Sequence, residues 1–150
     1  MTLTDSPATH AVGEQAEFDR AGLEILTDEQ CLALLPTVPV GRIVFTEGAL
    51  PAVQPVNFVV DDRCVIIRAM TGSKLAAAAA GAVVAFEVDE YDATTETGWS
   101  VTAVGQATVV TNPAELDRLS KLPLRPWAGH LDHVIQIRIA LLRGRRLLRT

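Results

Sequence analysis

The stretch Trp99-Ser100-Val101-Thr102-Ala103-Val104-Gly105-Gln106-Ala107-Thr108-Val109-Val110 decides the fold class. Trp99, Val101, Ala103, Ala107 and Val109 fall on one face, and Ser100, Thr102, Gln106 and Thr108 on the other. Alternation with period two is the mark of an antiparallel strand with one face on a core and one in water. Working outward, Val40–Thr46, Ala52–Val60, Cys64–Ala69 and Ala82–Asp89 read as earlier strands, with turns at Glu47-Gly48-Ala49-Leu50 and Asp61-Asp62-Arg63. Downstream, His133–Ile139 alternates with Ile135, Ile137 and Ile139 inward, and Leu141–Leu148 reads as a return strand around Gly144. Thr27 and Gln30 form a capping box ahead of Cys31, Leu32, Leu34 and Leu35, so a short helix is expected there, ending at Pro36. Asn112-Pro113 opens another helix through about Lys121. Six or seven antiparallel strands and three short helices imply a mainly β fold, a barrel with helices plugging its ends.

Composition narrows the function. The chain has 150 residues, 49% hydrophobic and 21% charged, which suits one globular domain and excludes a disordered one. Net charge is −5, with 13 basic against 18 acidic residues, the wrong balance for a module that neutralises nucleic-acid phosphates. The charge-free apolar run Leu75–Phe86 is too short to span a bilayer, and Met1–Ala11 lacks the basic start and apolar core of a signal peptide. Cys31 and Cys64 have neither metal nor redox spacing, so they are expected reduced, in a cytoplasmic protein. Residues 1–21 carry no clear periodicity and are expected to be a flexible tail, with the folded domain over 22–150.

The chemistry-bearing stretch is Arg68-Ala69-Met70-Thr71-Gly72-Ser73-Lys74-Leu75. A strand ends in an arginine, a glycine turn follows, and a helix starts with Ser73 as its cap. Helix starts favour anions, Thr71 and Ser73 add hydroxyls, and Arg68 and Lys74 add charge. Lys74 in a first helical turn opposes the macrodipole, which an anion held at this turn would explain. A lysine pointing to water explains it equally, and the residues alone leave both open. The stretch is not a P-loop, because no run of glycines precedes the lysine. The helix behind it, Leu75–Ala80, has no polar face and is expected to be buried. Upstream, Pro55 in Gln54-Pro55-Val56-Asn57-Phe58 marks a sheet edge, since proline cannot donate to a ladder. Such an edge either offers backbone groups to a flat heteroaromatic ligand, with Asn57 adding a donor and an acceptor, or is simply protected from aggregation by its prolines.

Val40-Gly41-Arg42-Ile43, Gln54-Pro55-Val56-Asn57-Phe58, the Arg68 to Leu75 turn, Ala85-Phe86-Glu87-Val88-Asp89 and Gly98-Trp99-Ser100-Val101 follow one another in an order and spacing that resembles the pyridoxamine 5′-phosphate oxidase-like family. This family belongs to the flavin- and deazaflavin-dependent split β-barrel superfamily, and the resemblance covers roughly Leu23–Leu148. It implies a six-stranded antiparallel split β-barrel of the FMN-binding type and a homodimer with FMN in a groove between subunits. It also implies that Arg68, Thr71, Ser73 and Lys74 hold the phosphate and that Pro55, Val56 and Asn57 line the ring. Trp99, Ser100 and the partner's Trp127 would be further neighbours. The function it implies is an FMN-binding oxidoreductase passing a hydride or electrons from reduced flavin to a small organic acceptor. The alternatives are a deazaflavin-dependent reductase and a non-catalytic binder of flavin or haem, with FAD a further candidate cofactor. The arginine- and histidine-bearing C-terminal segment with which pyridoxamine phosphate oxidases grip their substrate has no clear counterpart here, so that activity is not expected.

No residue is assigned as catalytic, because hydride transfer depends on the position of a cofactor more than on a protein acid or base. Glu87, Asp89, Glu90, Asp92 and Glu96 lack a calcium-loop spacing and read as a solvated loop, and His10, His130 and His133 form no metal spacing. Arg143, Arg145, Arg146 and Arg149 read as a solvated edge strand or as contacts to an anionic ligand tail.

Overall fold

The computed structural model describes residues 15–70, 73–124 and 131–149, with backbone alone at 70, 131 and 132. In chain order the elements are β1 (Glu17–Phe18), β2 (Glu24–Leu26), α1 (Asp28–Leu34) with a 3-10 turn at Leu35–Thr37, β3 (Val40–Glu47), β4 (Leu50–Asn57), β5 (Val59–Asp61) and β6 (Cys64–Met70). Then follow α2 (Lys74–Ala79), β7 (Val83–Asp92), β8 (Thr97–Val109), α3 (Pro113–Ser120) and β9 (Leu131–Leu147). No helix among the described residues is long and apolar enough to cross a membrane.

The sheet is antiparallel and runs β4-β3-β7-β8-β9, where it forks. One end of β9 pairs with β6, which carries β5, and the other end pairs with β2, which carries β1. Curling of this sheet brings β4 and β6 to the two sides of a seam that no ladder closes among the described residues. Strands β4, β3, β7, β8, β9 and β6 therefore make the expected six-stranded split barrel. Its interior is filled by the inward residues of each strand, among them Ile43, Val65, Ile67, Phe86, Val101, Ala103, Ile135 and Ile137. A smaller cluster, Cys64, Ile66, Leu119 and Leu124, lies outside the barrel under α3. Both cysteines are buried and free.

The helix starts form as their residues dictate. The Gln30 amide donates to Thr27 Oγ1 (3.2 Å) while the Thr27 amide donates to Gln30 Oε1 (2.8 Å), and Asn112 Oδ1 accepts from the amides of Ala114 and Glu115. Four readings are corrected. Ala52–Val60 is two strands, because Phe58 turns into the core to meet the Phe86 ring edge-on at 4.7 Å, so that β4 stays with β3 while β5 joins β6 across the seam. His133–Ile139 and Leu141–Leu148 are one strand, β9, with Ala140 bulged: Gly105 pairs with Ile139 and Val104 with Leu141. A Cβ on Gly105 would run into the Arg138 carbonyl, so only glycine fits opposite that bulge. The alanine helix α2 buries Leu75, Ala76 and Ala79 but leaves Ala77 in solvent. Finally, Glu17–Phe18 pair with Glu24 and Ile25, which carries the folded part of the chain back beyond Gly22.

Candidate functional site

The candidate site lies along the seam. On one side runs β4, which among the described residues pairs with β3 alone, through the ladder Arg42↔Pro55 and Gly41↔Val56. Proline is tolerated in a strand where its nitrogen faces away from the partner, so the Pro55 and Val53 backbone groups point to the open edge. Val56 is buried in the barrel, Pro55 is exposed and Asn57 is half-buried where β4 ends. On the other side β6 leads through residues 71 and 72 into α2, whose cap Ser73 accepts from the Ala76 amide at 3.1 Å.

The two cations of the turn have different partners. Arg68 sits on the outward face of β6 beside Cys64 and Ile66 and points at α3, donating from Nη2 to the carbonyls of Ser120 (2.9 Å) and Leu119 (3.4 Å). A guanidinium against the last carbonyls of a helix satisfies groups the helix cannot, and matches the negative end of its dipole. Lys74 stands 83% exposed, with its Nζ 3.5 Å from Glu47 Oε1 at the end of β3. Glu47 thus offsets the unfavourable charge of a lysine in a first helical turn, and an ion pair this exposed holds the side chain only weakly.

Below the seam, where β4 passes into β5, lies a groove of about 540 Å³. Val38, Phe58, Val59, Val60 and Leu122 contribute apolar surface and Asn57 a polar side chain, and among the described residues none that lines it is charged. That volume falls within the range of small-molecule sites.

Trp99 is not brought to this seam. It pairs with Arg146 at one end of the β8–β9 ladder, whereas the end next to β6 is marked by Val109↔Ile135, about 30 Å away at the usual rise per residue. There Trp99 packs against the core, and Ser100 lies next to it opposite Arg145. Thr71 and Trp127 lie outside the described residues, as do His10 and His130. His133 is half-buried on β9, opposite Ala69.

Two of the C-terminal arginines are tied to the start of the domain. Arg145 Nε donates to Asp19 Oδ2 at 3.0 Å, and Arg146 Nη1 lies 3.4 Å from Glu24 Oε2. Amides of Leu23 and Ala21, with Arg145, hold the Asp19 carboxyl below its ordinary range. Sequence reasoning missed these pairs and the Arg68 cap. A signal for the second existed: Cys64-Val65-Ile66-Ile67 is apolar on both faces, so a further element has to cover its outer one. Among the described residues no group of three or more His, Cys, Asp or Glu side chains could hold a metal ion.

The comparisons with known proteins agree with this architecture. The profile of the pyridoxamine 5′-phosphate oxidase family matches residues 27–146. An uncharacterised protein of Mycobacterium tuberculosis, Rv0080, is 38% identical over 148 residues, 95% of each chain. The FAD-binding protein of Mycobacterium smegmatis superposes with a TM-score of 0.72 at 36% identity, over 83% of this chain and 98% of that one. An FAD-binding protein of Mesorhizobium loti has the same fold at 20% identity, with a TM-score of 0.68 over 83% and 98% of the two chains. From Thr27 to Arg146, on a barrel split between β4 and β6, the chain belongs to the pyridoxamine 5′-phosphate oxidase family.

Proposed function

We propose that this chain binds a flavin nucleotide on the seam between β4 and β6 and serves as an oxidoreductase. What carries the reading is the 36% identity to the M. smegmatis FAD-binding protein over nearly all of that chain, with FMN and FAD sharing the ring and first phosphate. The donor set of the seam fits such a ligand. An open strand edge with Pro55 and Val56 suits a flat heteroaromatic ring, and Lys74, loosely paired and mostly in solvent, suits a phosphate. Arg68 fits less well, since its guanidinium already serves the end of α3.

When bound, reduced flavin supplies a hydride to a small organic acceptor. The chain's own part is to hold the ring against the β4 edge and to neutralise the phosphate through Lys74. Two buried free cysteines suit a reducing compartment such as the cytoplasm.

A homodimer belongs to the same proposal. On the outer face of the barrel the ladders align Val53, Val44, Ala85, Val104 and Leu141 in one apolar row across five strands, with Val53 61% and Leu141 46% exposed. An apolar row on a solvent-facing sheet is a natural contact for a second copy.

The test of the cofactor is absorbance of the purified protein together with equilibrium dialysis against FMN, FAD and riboflavin. Lys74→Ala is expected to weaken FMN retention roughly tenfold or more, the effect of one charge-assisted contact, and to leave riboflavin binding unchanged. Equal losses for both ligands remove Lys74 from the phosphate role, and a protein that retains no flavin overturns the whole reading.

A further inference from the structure

We infer that the groove at the foot of the seam takes an uncharged, largely apolar small molecule, the acceptor for the bound flavin, rather than the phosphate ester after which the family is named. The inference rests on the flavin reading for the word acceptor, but its geometric part stands alone.

The groove's apolar walls come from three separate parts of the chain: Val38 after the 3-10 turn, Phe58 to Val60 at the β4–β5 corner, and Leu122 after α3. Among the described residues no lysine, arginine or histidine lines it. Moving a phosphate dianion into such surroundings without a counter-charge is strongly unfavourable, whereas a neutral ring gains from every apolar contact. The polar side chain in the lining, Asn57, can orient a carbonyl or hydroxyl but cannot neutralise charge.

The described cations near it are engaged elsewhere. Arg68 serves the α3 carbonyls, Arg118 pairs with Asp61 and Glu115, and Lys121 pairs with Asp117. The groove also continues directly from the proposed ring platform, because Asn57 and Phe58 follow Pro55 and Val56 in the chain. A molecule seated there therefore lies next to the edge against which the ring is held.

The test uses the purified full chain and two probes, tetramethyl-1,4-benzoquinone (neutral) and pyridoxine 5′-phosphate (anionic). Binding is read as chemical-shift changes of backbone amides, with and without added flavin. The expected result is saturable binding of the quinone with shifts at Val59, Val60 and Leu122, and no saturation by the phosphate ester. Val38→Asp, which sets a carboxylate in the wall, is expected to weaken the quinone at least tenfold while FMN or FAD affinity stays the same. Should that variant fail to fold, Leu122→Gln carries the same comparison. Tighter binding of the phosphate ester, quinone shifts elsewhere, or wild-type affinity in the folded variants overturns the proposal. Quinone binding in the groove of a protein that retains no flavin upholds the site and overturns the cofactor instead, so the two failures read differently.

Discussion

Glu87 ties the fold to pH. On the outer face of β7 its carboxylate and that of Asp89 share one nitrogen of Arg42, each at 3.0 Å. Partial burial and the adjacent Asp89 push the Glu87 acid up to about 7 from its ordinary 4.5, outweighing the pull of Arg42. The folded chain then binds a proton that the unfolded chain has lost between those two values. Stability should therefore fall as pH rises from about 4.5 to 7 and stay lower above that. Glu87→Gln, which keeps shape and removes the charge, is expected to gain stability at pH 8 and change little at pH 4.5. The difference should be about 1 kcal/mol after allowance for the partial exposure of the site, or a few degrees in melting temperature. Thermal unfolding of both proteins at the two pH values measures it, and an equal shift at both would remove Glu87 as the cause.

At the scale of elements, α3 depends on a residue that sequence reading assigned to a ligand. Leu119 and Leu124 bury against Cys64 and Ile66, and Arg68 fastens the helix end from the same face of β6. Arg68→Met keeps much of the stem and removes the donors. It should cost about 1–2 kcal/mol, seen in denaturant unfolding, and speed hydrogen exchange in α3 while FMN affinity stays unchanged. Loss of flavin affinity with no change in α3 would return Arg68 to the cofactor.

The same contrast marks what sequence could and could not yield. Caps at Thr27, Ser73 and Asn112 and the alternation of Trp99–Val109 are local signals, and the helices and β8 follow them. The unity of β9 was hidden because the bulge at Ala140 reverses the phase. Buried positions are odd-numbered through Ile139 and even-numbered from Leu142, a pattern that one strand produces only with an inserted residue. The family order of motifs was legible along the chain. The partners of Arg68, Arg145 and Arg146 were not, since each lies on an element far away in sequence and a guanidinium suits a carbonyl, a carboxylate or a phosphate alike.

For the whole molecule, the apolar row on the outer face predicts association. Val104 stands at its middle strands, between Ala85 and Leu141. Sedimentation of the unmodified protein at micromolar concentration should give a dimer. Val104→Glu, on a half-exposed outward position, should shift it to monomer with little loss of melting temperature. A wild-type monomer, or a variant still dimeric, would exclude this face as the contact.

One strand has a consequence for how the chain is made. Residues 131–147 supply hydrogen-bonding partners to β2 near the beginning, β6 in the middle and β8 shortly before. Until that segment leaves the ribosome, all three strands expose unpaired edges, and the partial sheet β4-β3-β7-β8 has no wall to curl against. Closure of the barrel thus waits for synthesis of residues 131–147, and the nascent domain is most aggregation-prone just before it, when chaperones have the most apolar surface to shield.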